Sequence, residues 1–388
     1  MRFRDQLREL PAAVWILLGG TFINRVGQFV MPFLVIYLTK IGYSNAKAGL
    51  ALGAYGAGHI VASWLGGHLA DRIGRRNTIV LSMFGSAAAL MGLSQARAYL
   101  TIVVLTAVTA AFAELYRPAS HALLADLMPP EQRVFSFAVY RFAVNLGVAA
   151  GPAAAGFLAE HSFFYLFAGD AITSVVYGVI ALVALPHGLR TYEKGERTGE
   201  AMRVAARDTR FILFLLATLL AAIIDMQMGS TFALHVTWLG FAPHVFGLLI
   251  SLNAALVISL ELVITNYTQR MSPRPVIAFG YLLWGLGFAL TGIAVTIPLL
   301  ACTVVIWTLG EMVSSPLTAA YVAQIAPEKY RGRYMGMMVT CWSVGLCVGP
   351  PLGTFLFERN AAVLWASCGV LGLLSAALLY RPRHNRNV

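Results

Sequence analysis

Long hydrophobic runs alternate with short polar links along the whole chain. Each run holds about 20 residues or more, the length that an α-helix needs to cross the hydrocarbon core of a bilayer. The runs fall near residues 13–38, 47–69, 77–96, 99–124, 135–159, 163–185, 211–238, 245–268, 275–296, 298–323, 333–357 and 360–380. The pattern therefore predicts an all-α integral membrane protein with 12 transmembrane helices.

The composition supports the same class. Hydrophobic residues make up 59% of the chain and charged residues only 12%, with a mean hydropathy of +0.73, whereas soluble proteins carry about 25% charged residues. All four cysteines fall inside predicted spans without a CxxC pair, so we expect packing residues and not disulfides. No metal site and no cofactor is expected.

The basic residues predict the orientation in the membrane. If both termini are cytoplasmic, 21 Lys and Arg side chains lie inside and four lie outside, as the positive-inside rule requires. The net charge of +11 then follows from topology, and no nucleic-acid partner is expected. With its short loops, the chain is expected to be a multi-pass protein of the bacterial inner membrane.

The longest polar stretch, near residues 187–210, divides the chain into similar halves. It predicts an N-terminal six-helix bundle (1–187), a cytoplasmic linker (188–209) and a C-terminal six-helix bundle (210–388). Shifting residues 118–158 by 198 aligns ten identical residues in 41 positions, including Gly-Pro on Gly-Pro. Such a repeat is typical of transporters that rock two bundles about a site at the bilayer midplane.

Two motifs carry a family resemblance. The stretch "GGHLADRIGRR" resembles the cytoplasmic loop motif of the major facilitator superfamily, and "NLGVAAGPAAAGFL" resembles the fifth-helix motif of its proton-coupled antiporters. The residues that match are Gly67, Asp71, Arg72, Gly74, Arg75 and Arg76 in the loop, and Gly147, Gly151, Pro152 and Gly156 in the helix. The resemblance spans the full length and implies a monomeric transporter similar to the drug:proton antiporter group.

Both motifs also have a physical interpretation. Asp71 is an anion at the end of the second span, beside an arginine cluster, and Asp126 at the inner end of the fourth span is an expected partner for one arginine. Such a latch would favour the outward-open state. Glycines four apart permit close helix packing and Pro152 bends the backbone, so packing and gating both stay open as roles of the second motif.

Seven ionisable residues lie well inside the predicted spans, at a cost of about 2.5–3.5 kcal/mol each at the bilayer centre. They are Arg25, Glu114, Arg117, Arg141, Asp225, Glu261 and Glu311. Intramembrane charge usually marks a substrate or proton path. The N-terminal half carries all three arginines and the C-terminal half carries three carboxylates.

The two halves suggest different roles. Glu114 and Arg117 share a helix face and form either a structural or a functional ion pair, while Arg25 is too deep to snorkel. Asp225, Glu261 and Glu311 have no basic residue in their own helices, so each borrows an arginine from the other half or spends time protonated. The segment around Glu311 also resembles the tenth helix of proton-driven multidrug exporters and of oligopeptide transporters, which implies a role in substrate binding or coupling. The candidates for proton coupling are Glu311, Asp225, Glu114 and Glu261.

Aromatic, amide and basic side chains supply the candidate substrate site. Aromatic rings hold cations and adapt to varied apolar shapes, although any single ring is as readily a packing residue. The candidates are Arg25, Asn24, Gln28, Tyr37, Arg117, Asn145, Gln227 and Trp307.

Two functions stay open. The first is proton-coupled export of small lipophilic cations by alternating access, in line with the antiporter motif. The second is proton-coupled import of peptides or other zwitterionic nutrients, because "INRVGQFVMPFLVIYLT" and "AELYRPAS" resemble oligopeptide transporters, although Thr21 and Asn24 replace that family's acidic residues. An enzyme is not expected, since no nucleotide-binding loop and no metal-spaced histidine cluster occurs.

Overall fold

The protein is all-helical in the computed structural model, which describes residues 7–187, 198–327 and 330–380. This confirms the predicted fold class. Within those ranges the helices are α1 (Ala12–Val26), α2 (Val30–Lys40), α3 (Asn45–Arg72), α4 (Arg75–Gln95), α5 (Tyr99–Leu127), α6 (Pro130–His161), α7 (Phe163–Ala184), α8 (Thr198–Arg207), α9 (Thr209–Asp225), α10 (Thr231–Trp238), α11 (Pro243–Thr268), α12 (Pro273–Thr291), α13 (Ile297–Ile325), α14 (Arg331–Arg359) and α15 (Ala361–Tyr380).

Among the described residues, ten helical stretches are long and apolar enough to cross a membrane. α1 and α2 form one of them. Two further units are comparable in length: α3 has 28 residues, and α9 with α10 covers Thr209–Trp238. The exact number of twelve spans stays a prediction.

The two broken units interrupt their helices at corresponding places. Between α1 and α2 the chain turns at Gly27, and the carboxylate of Asp170 on α7 accepts the Val30 N–H at 3.4 Å. Between α9 and α10 the amide of Gln227 accepts from the Thr231 hydroxyl at 2.9 Å. Polar partners at both breaks satisfy groups that an apolar membrane would leave unpaired.

The two bundles repeat with one constant offset. Adding 198 to α5 (99–127) gives 297–325, which are the bounds of α13, and adding 198 to α3 (45–72) gives 243–270, against 243–268 for α11. α1–α7 form the first bundle and α9–α15 the second. Of the predicted linker, residues 188–197 lie outside the described part of the chain, and α8 occupies most of the remainder.

The bundles meet through α3 against α14 and through α6 against α11. We call the end with the α3–α4 turn the basic end, and the other the opposite end. At the opposite end a Cβ on Gly49 would lie 2.7 Å from the Pro350 carbonyl oxygen, and one on Gly247 would overlap the Pro152 carbonyl. These two contacts occupy corresponding positions of the internal repeat, because 49 + 198 = 247 and 152 + 198 = 350. The bundles are therefore tightly closed at the opposite end.

Nearer the basic end the same helices have space around them. A Cβ on Gly67 of α3 or on Gly336 of α14 would meet nothing within 4 Å. The interface is thus tight at one end and looser towards the other.

Candidate functional site

A cavity of about 230 Å³ lies between the two bundles, near the middle of the helices. Methionine, proline and aliphatic side chains form most of its wall, with a few polar groups. Its lining residues are Arg25, Gln28, Met31, Pro32, Leu52, Tyr55, Val148, Pro152, Asp225, Met226, Met228, Gly229, Phe246, Ile250 and Leu346. An apolar pocket with few convergent polar groups is the usual form of a small-molecule site.

Arg25 is the positive charge of the cavity. The side chain is buried, its Nη1 donates to Gln28 Oε1 at 2.5 Å, and the guanidinium lies 5.5 Å from the Tyr116 ring centroid. A Cβ on Gly147 would lie 2.5 Å from the Arg25 Cβ, so the glycine of the fifth-helix motif makes room for this arginine. Its side chain is thus held at the wall by packing and by one hydrogen bond.

Glu114 lies at the centre of a charged cluster behind this wall. It is buried, and its Oε2 lies 2.7 Å from Arg117 Nε and 3.7 Å from His59 Nε2. The Tyr55 hydroxyl interacts with the same carboxylate. Within the N-terminal bundle, positive and negative charges therefore compensate one another.

The C-terminal bundle presents a line of carboxylates instead. Asp225 ends α9 and lines the cavity; it lies within electrostatic range of Glu311, and Glu311 within range of Glu261. Glu311 Oε2 accepts from Asn253 Nδ2 at 2.9 Å, and Asn253 also donates to Thr308 at 3.0 Å. In the part of the chain that the structure describes, neither Asp225 nor Glu311 forms an ion pair.

Glu261 has a partner from the other bundle. Arg141 Nη2 on α6 lies 3.0 Å from Glu261 Oε1 on α11, with the arginine side chain 66% exposed. Glu261 stands seven residues before the end of α11, about 10 Å along the axis. The three carboxylates thus extend from the central cavity towards the basic end.

The loop motif forms a network at the basic end. Arg75 donates to Asp71 at 2.7 Å and to the Ala70 carbonyl at 2.9 Å, and its Nε lies 3.3 Å from Asp126. Gly74 has φ of 95°, a conformation that favours glycine. These contacts link α3, α4 and α5 within one bundle. Arg76 contacts His187 at 2.6 Å, while Arg72 is exposed.

The fifth-helix motif lies on α6 and packs against α1 and α11. A Cβ on Gly151 would lie 2.8 Å from the Val26 carbonyl oxygen, and one on Gly156 would lie 2.8 Å from the His244 Cα. Pro152 contacts Gly247 and also lines the cavity. The motif therefore connects the cavity wall to the bundle interface.

Other candidate residues lie outside the cavity wall. Asn24 donates to Ser174 at 3.4 Å on α7, and Tyr37 packs between Phe163 and Phe167. Gln227 accepts the Thr231 hydroxyl at the break between α9 and α10 and donates to the Gly349 carbonyl at 3.1 Å. Trp307 is fully buried and stacked on Phe288, and Asn145 is half-buried on α6.

Sequence reasoning missed two polar residues that the structure brings to the site. Tyr55 and His59 lie one turn apart on α3, and both contact Glu114. The (i, i+4) spacing of Tyr55 and His59 is a visible signal of a shared helix face. The sequence did not predict that Glu114 on α5 is their partner, because only the tertiary fold pairs α3 with α5.

Two carboxylates join the bundles at the opposite end. Glu358 Oε2 on α14 accepts the Ala46 N–H at the start of α3 at 2.8 Å, and Glu160 on α6 contacts His244 at the start of α11 through both ring and backbone. These two contacts also occupy corresponding positions of the internal repeat, since 160 + 198 = 358 and 46 + 198 = 244. A carboxylate at a helix N-terminus interacts favourably with the helix dipole.

Two helical bundles that enclose a central cavity lined by opposite charges form the architecture of a secondary transporter. The sequence profile of the Major Facilitator Superfamily matches residues 17–237 and 209–388. The chain belongs to this superfamily, and it is a transporter and not an enzyme.

Known proteins resemble the chain over nearly its whole length. A Na⁺, Li⁺, K⁺/H⁺ antiporter of Planococcus maritimus is 26% identical over 90% of both chains. The multidrug resistance protein MdtH of Edwardsiella ictaluri is 24% identical over 96% of this chain and 95% of its own. The crystal structure of a peptide transporter POT in complex with sulfate has a TM-score of 0.81 at 16% identity, over 95% of this chain and 94% of its own, a likeness of fold.

Proposed function

We propose that the protein is a proton-coupled exporter of small lipophilic cations. The observation that carries the proposal is a pair of carboxylates in the C-terminal bundle without an ion-pair partner among the described residues: Asp225 faces a mostly apolar cavity, with Arg25 on the wall of the other bundle, and Glu311 is next in line. Two neighbouring carboxylates without a basic partner favour a proton or a cation between them. The antiporter and multidrug relatives agree with this chemistry.

Coupling follows from competition for the same charge. A bound cation compensates Asp225 and makes protonation unnecessary, whereas a proton removes the attraction for the cation. The line from Asp225 through Glu311 to Glu261 supplies proton-binding groups between the cavity and the basic end. Cation and proton thus exclude each other at one site, which is sufficient for exchange by alternating access.

The bundle contacts support a conformational cycle. We place both termini and the basic end in the cytoplasm of a bacterial inner membrane, and we take 1–187 and 210–388 as the moving bodies of a monomer. The described state is then closed towards the outside. The paired contacts of Gly49 and Gly247 must separate for outward release. The Arg75 network is already formed in this outward-closed state, so it holds the basic ends of α3, α4 and α5 together and is not a latch specific to the outward-open state.

One observation favours peptide or zwitterion import as a second candidate. Arg25 and Asp225 line the same cavity from opposite bundles, and this arrangement offers a positive and a negative site to a zwitterion. Against this function, Arg25 lies within electrostatic range of Glu114 and Asp170. Its charge is therefore partly compensated inside its own bundle.

Flux in proteoliposomes separates the two functions. Vesicles with an acidic lumen, a lumenal pH dye and a clamped membrane potential receive either ethidium or dialanine. We expect ethidium to release protons from the lumen in wild-type vesicles and not in Asp225→Asn vesicles, and dialanine to have no effect. Proton movement with dialanine in the same direction as the peptide would instead establish the importer.

The carboxylates at the opposite end supply a further prediction. The double variant Glu160→Gln, Glu358→Gln removes two charges from helix N-termini, each worth about 0.3–1 kcal/mol, so we expect the equilibrium constant for closure to fall roughly three- to thirtyfold. The measurement is alkylation of Met228→Cys in the cavity wall, in a cysteine-free background, by an impermeant maleimide added from the outside. Glu9→Gln is the matched control, because Glu9 accepts from Gln132 within one bundle. An unchanged alkylation rate in the double variant would contradict the role of these contacts.

A further inference from the structure

His59 occupies a junction between the two bundles. It lies halfway along α3, with Nε2 3.7 Å from Glu114 Oε2 on α5 and Nδ1 3.2 Å from Ser343 Oγ on α14. The side chain is 19% exposed. One imidazole therefore connects the buried acid of the first bundle with a hydroxyl of the second.

The hydroxyl partner suits both charge states of the ring. Ser343 Oγ also lies 3.4 Å from the Val339 carbonyl oxygen. When the ring is neutral with its proton on Nε2, the Ser343 hydroxyl donates to Nδ1. When the ring is protonated, Nδ1–H donates to Ser343 Oγ, and the hydroxyl hydrogen turns to the Val339 carbonyl. Neither state leaves the α3–α14 contact without a hydrogen bond.

The charges around the ring oppose one another. Glu114 on α5 attracts an imidazolium, whereas Arg117 on α5 and Arg25 on α1 repel it. On α3 itself, Tyr55 interacts with the same carboxylate, and α14 contributes the Ser343 hydroxyl and, against Gly56, Cys347. Histidine is the side chain whose unperturbed charge change falls between about pH 5 and 8, and at position 59 it faces one carboxylate and two arginines.

Protonation would change the partners of Glu114. Arg117 Nε and His59 Nε2 both lie near Oε2 of Glu114, at 2.7 and 3.7 Å respectively. A charged imidazole competes with Arg117 for that oxygen, and the Arg117 side chain is already 44% exposed. Protonation of His59 therefore weakens the ion pair between Glu114 and Arg117.

We propose that His59 is a proton-binding residue of the transport site, distinct from the carboxylates of the C-terminal bundle. It takes up its proton between Glu114 and Ser343, keeps α3 joined to α14 in both charge states, and loosens Arg117. The role in coupling rests on the proposed proton-driven function, whereas the binding of the proton does not.

Proton binding is tested without transport. Protein labelled with ¹⁵N-histidine is titrated in detergent, and the ring signals absent from His59→Gln are assigned to His59. We expect them to titrate between about pH 5 and 8. Ring signals that keep one charge state across this range would overturn the proposal even if transport proves to be proton-driven.

The coupling role is tested by the pH profile of ethidium–proton exchange. Glutamine at position 59 retains a donor for Glu114 and an acceptor for Ser343 but binds no proton, so a merely structural role survives this substitution. We expect His59→Gln to lose the pH dependence on the acidic side. His121→Gln is the control, since His121 contacts the rings of Phe137 and Tyr140. A wild-type pH profile in His59→Gln would exclude the residue from coupling.

Discussion

Replacing Glu311 by glutamine is expected to reduce ethidium-driven proton release to the background of protein-free vesicles. The carboxylate lies midway along α13, between Asp225 and Glu261, and an amide carries no proton from one to the other. The fold should tolerate the change, because the amide oxygen of glutamine still accepts from Asn253. The free energy of unfolding should change by less than about 1 kcal/mol, the size of one hydrogen bond. The lumenal pH dye reports the proton release.

Two controls make this result specific. Glu311→Asp retains a titratable group and should keep measurable exchange, whereas Glu358→Gln removes a carboxylate at the opposite end and should affect the bundle equilibrium alone. Binding of ethidium to Glu311→Gln in detergent, followed by fluorescence, checks that the cavity persists. Exchange at the wild-type rate in Glu311→Gln would remove this residue from the proton path.

Leucine at both Gly49 and Gly247 is expected to stop transport by holding the bundles apart at the opposite end. Each added side chain would collide with a backbone carbonyl of the other bundle, at Pro350 or Pro152, and a backbone cannot rotate away as a flexible side chain does. Closure of that end is then blocked while each bundle remains intact. The measurement is the distance between spin labels on α3 and α14 at the opposite end, together with exchange in vesicles.

The matched control is leucine at Gly67. This residue lies on the same helix as Gly49, but a Cβ there meets nothing within 4 Å. We expect Gly67→Leu to leave the label distances unchanged. Wild-type distances in Gly49→Leu, Gly247→Leu would show that the two contacts do not limit closure.

The sequence was most informative where a property is local and repeated. Apolar runs predict helices because the backbone groups of each run must be satisfied within the membrane, and the helices confirm this class. The offset of 198 residues recurs in the bounds of α5 and α13. Intramembrane charge identified Arg25 and Asp225 as candidates, and both line the cavity.

The sequence was least informative about the directions of side chains. Helices that are apolar on every side give no periodic signal to distinguish the cavity face from the packing face. Trp307 and Tyr37 are thus aromatic candidates that lie among other rings, outside the cavity wall. Met31 and Phe246 line the cavity without any distinguishing pattern around them.

By itself, the sequence determined the class of fold, the internal repeat and the membrane-embedded charges, because hydrophobicity, identity at fixed spacing and ionisable groups are properties of single segments. Only the tertiary structure decided which charges meet. It joined Arg141 to Glu261 and His59 to both Glu114 and Ser343, pairs that are 55 to 284 positions apart in the sequence. It also paired Glu160 with His244 and Glu358 with Ala46. Such pairs depend on how whole helices pack and rotate, which no single segment specifies.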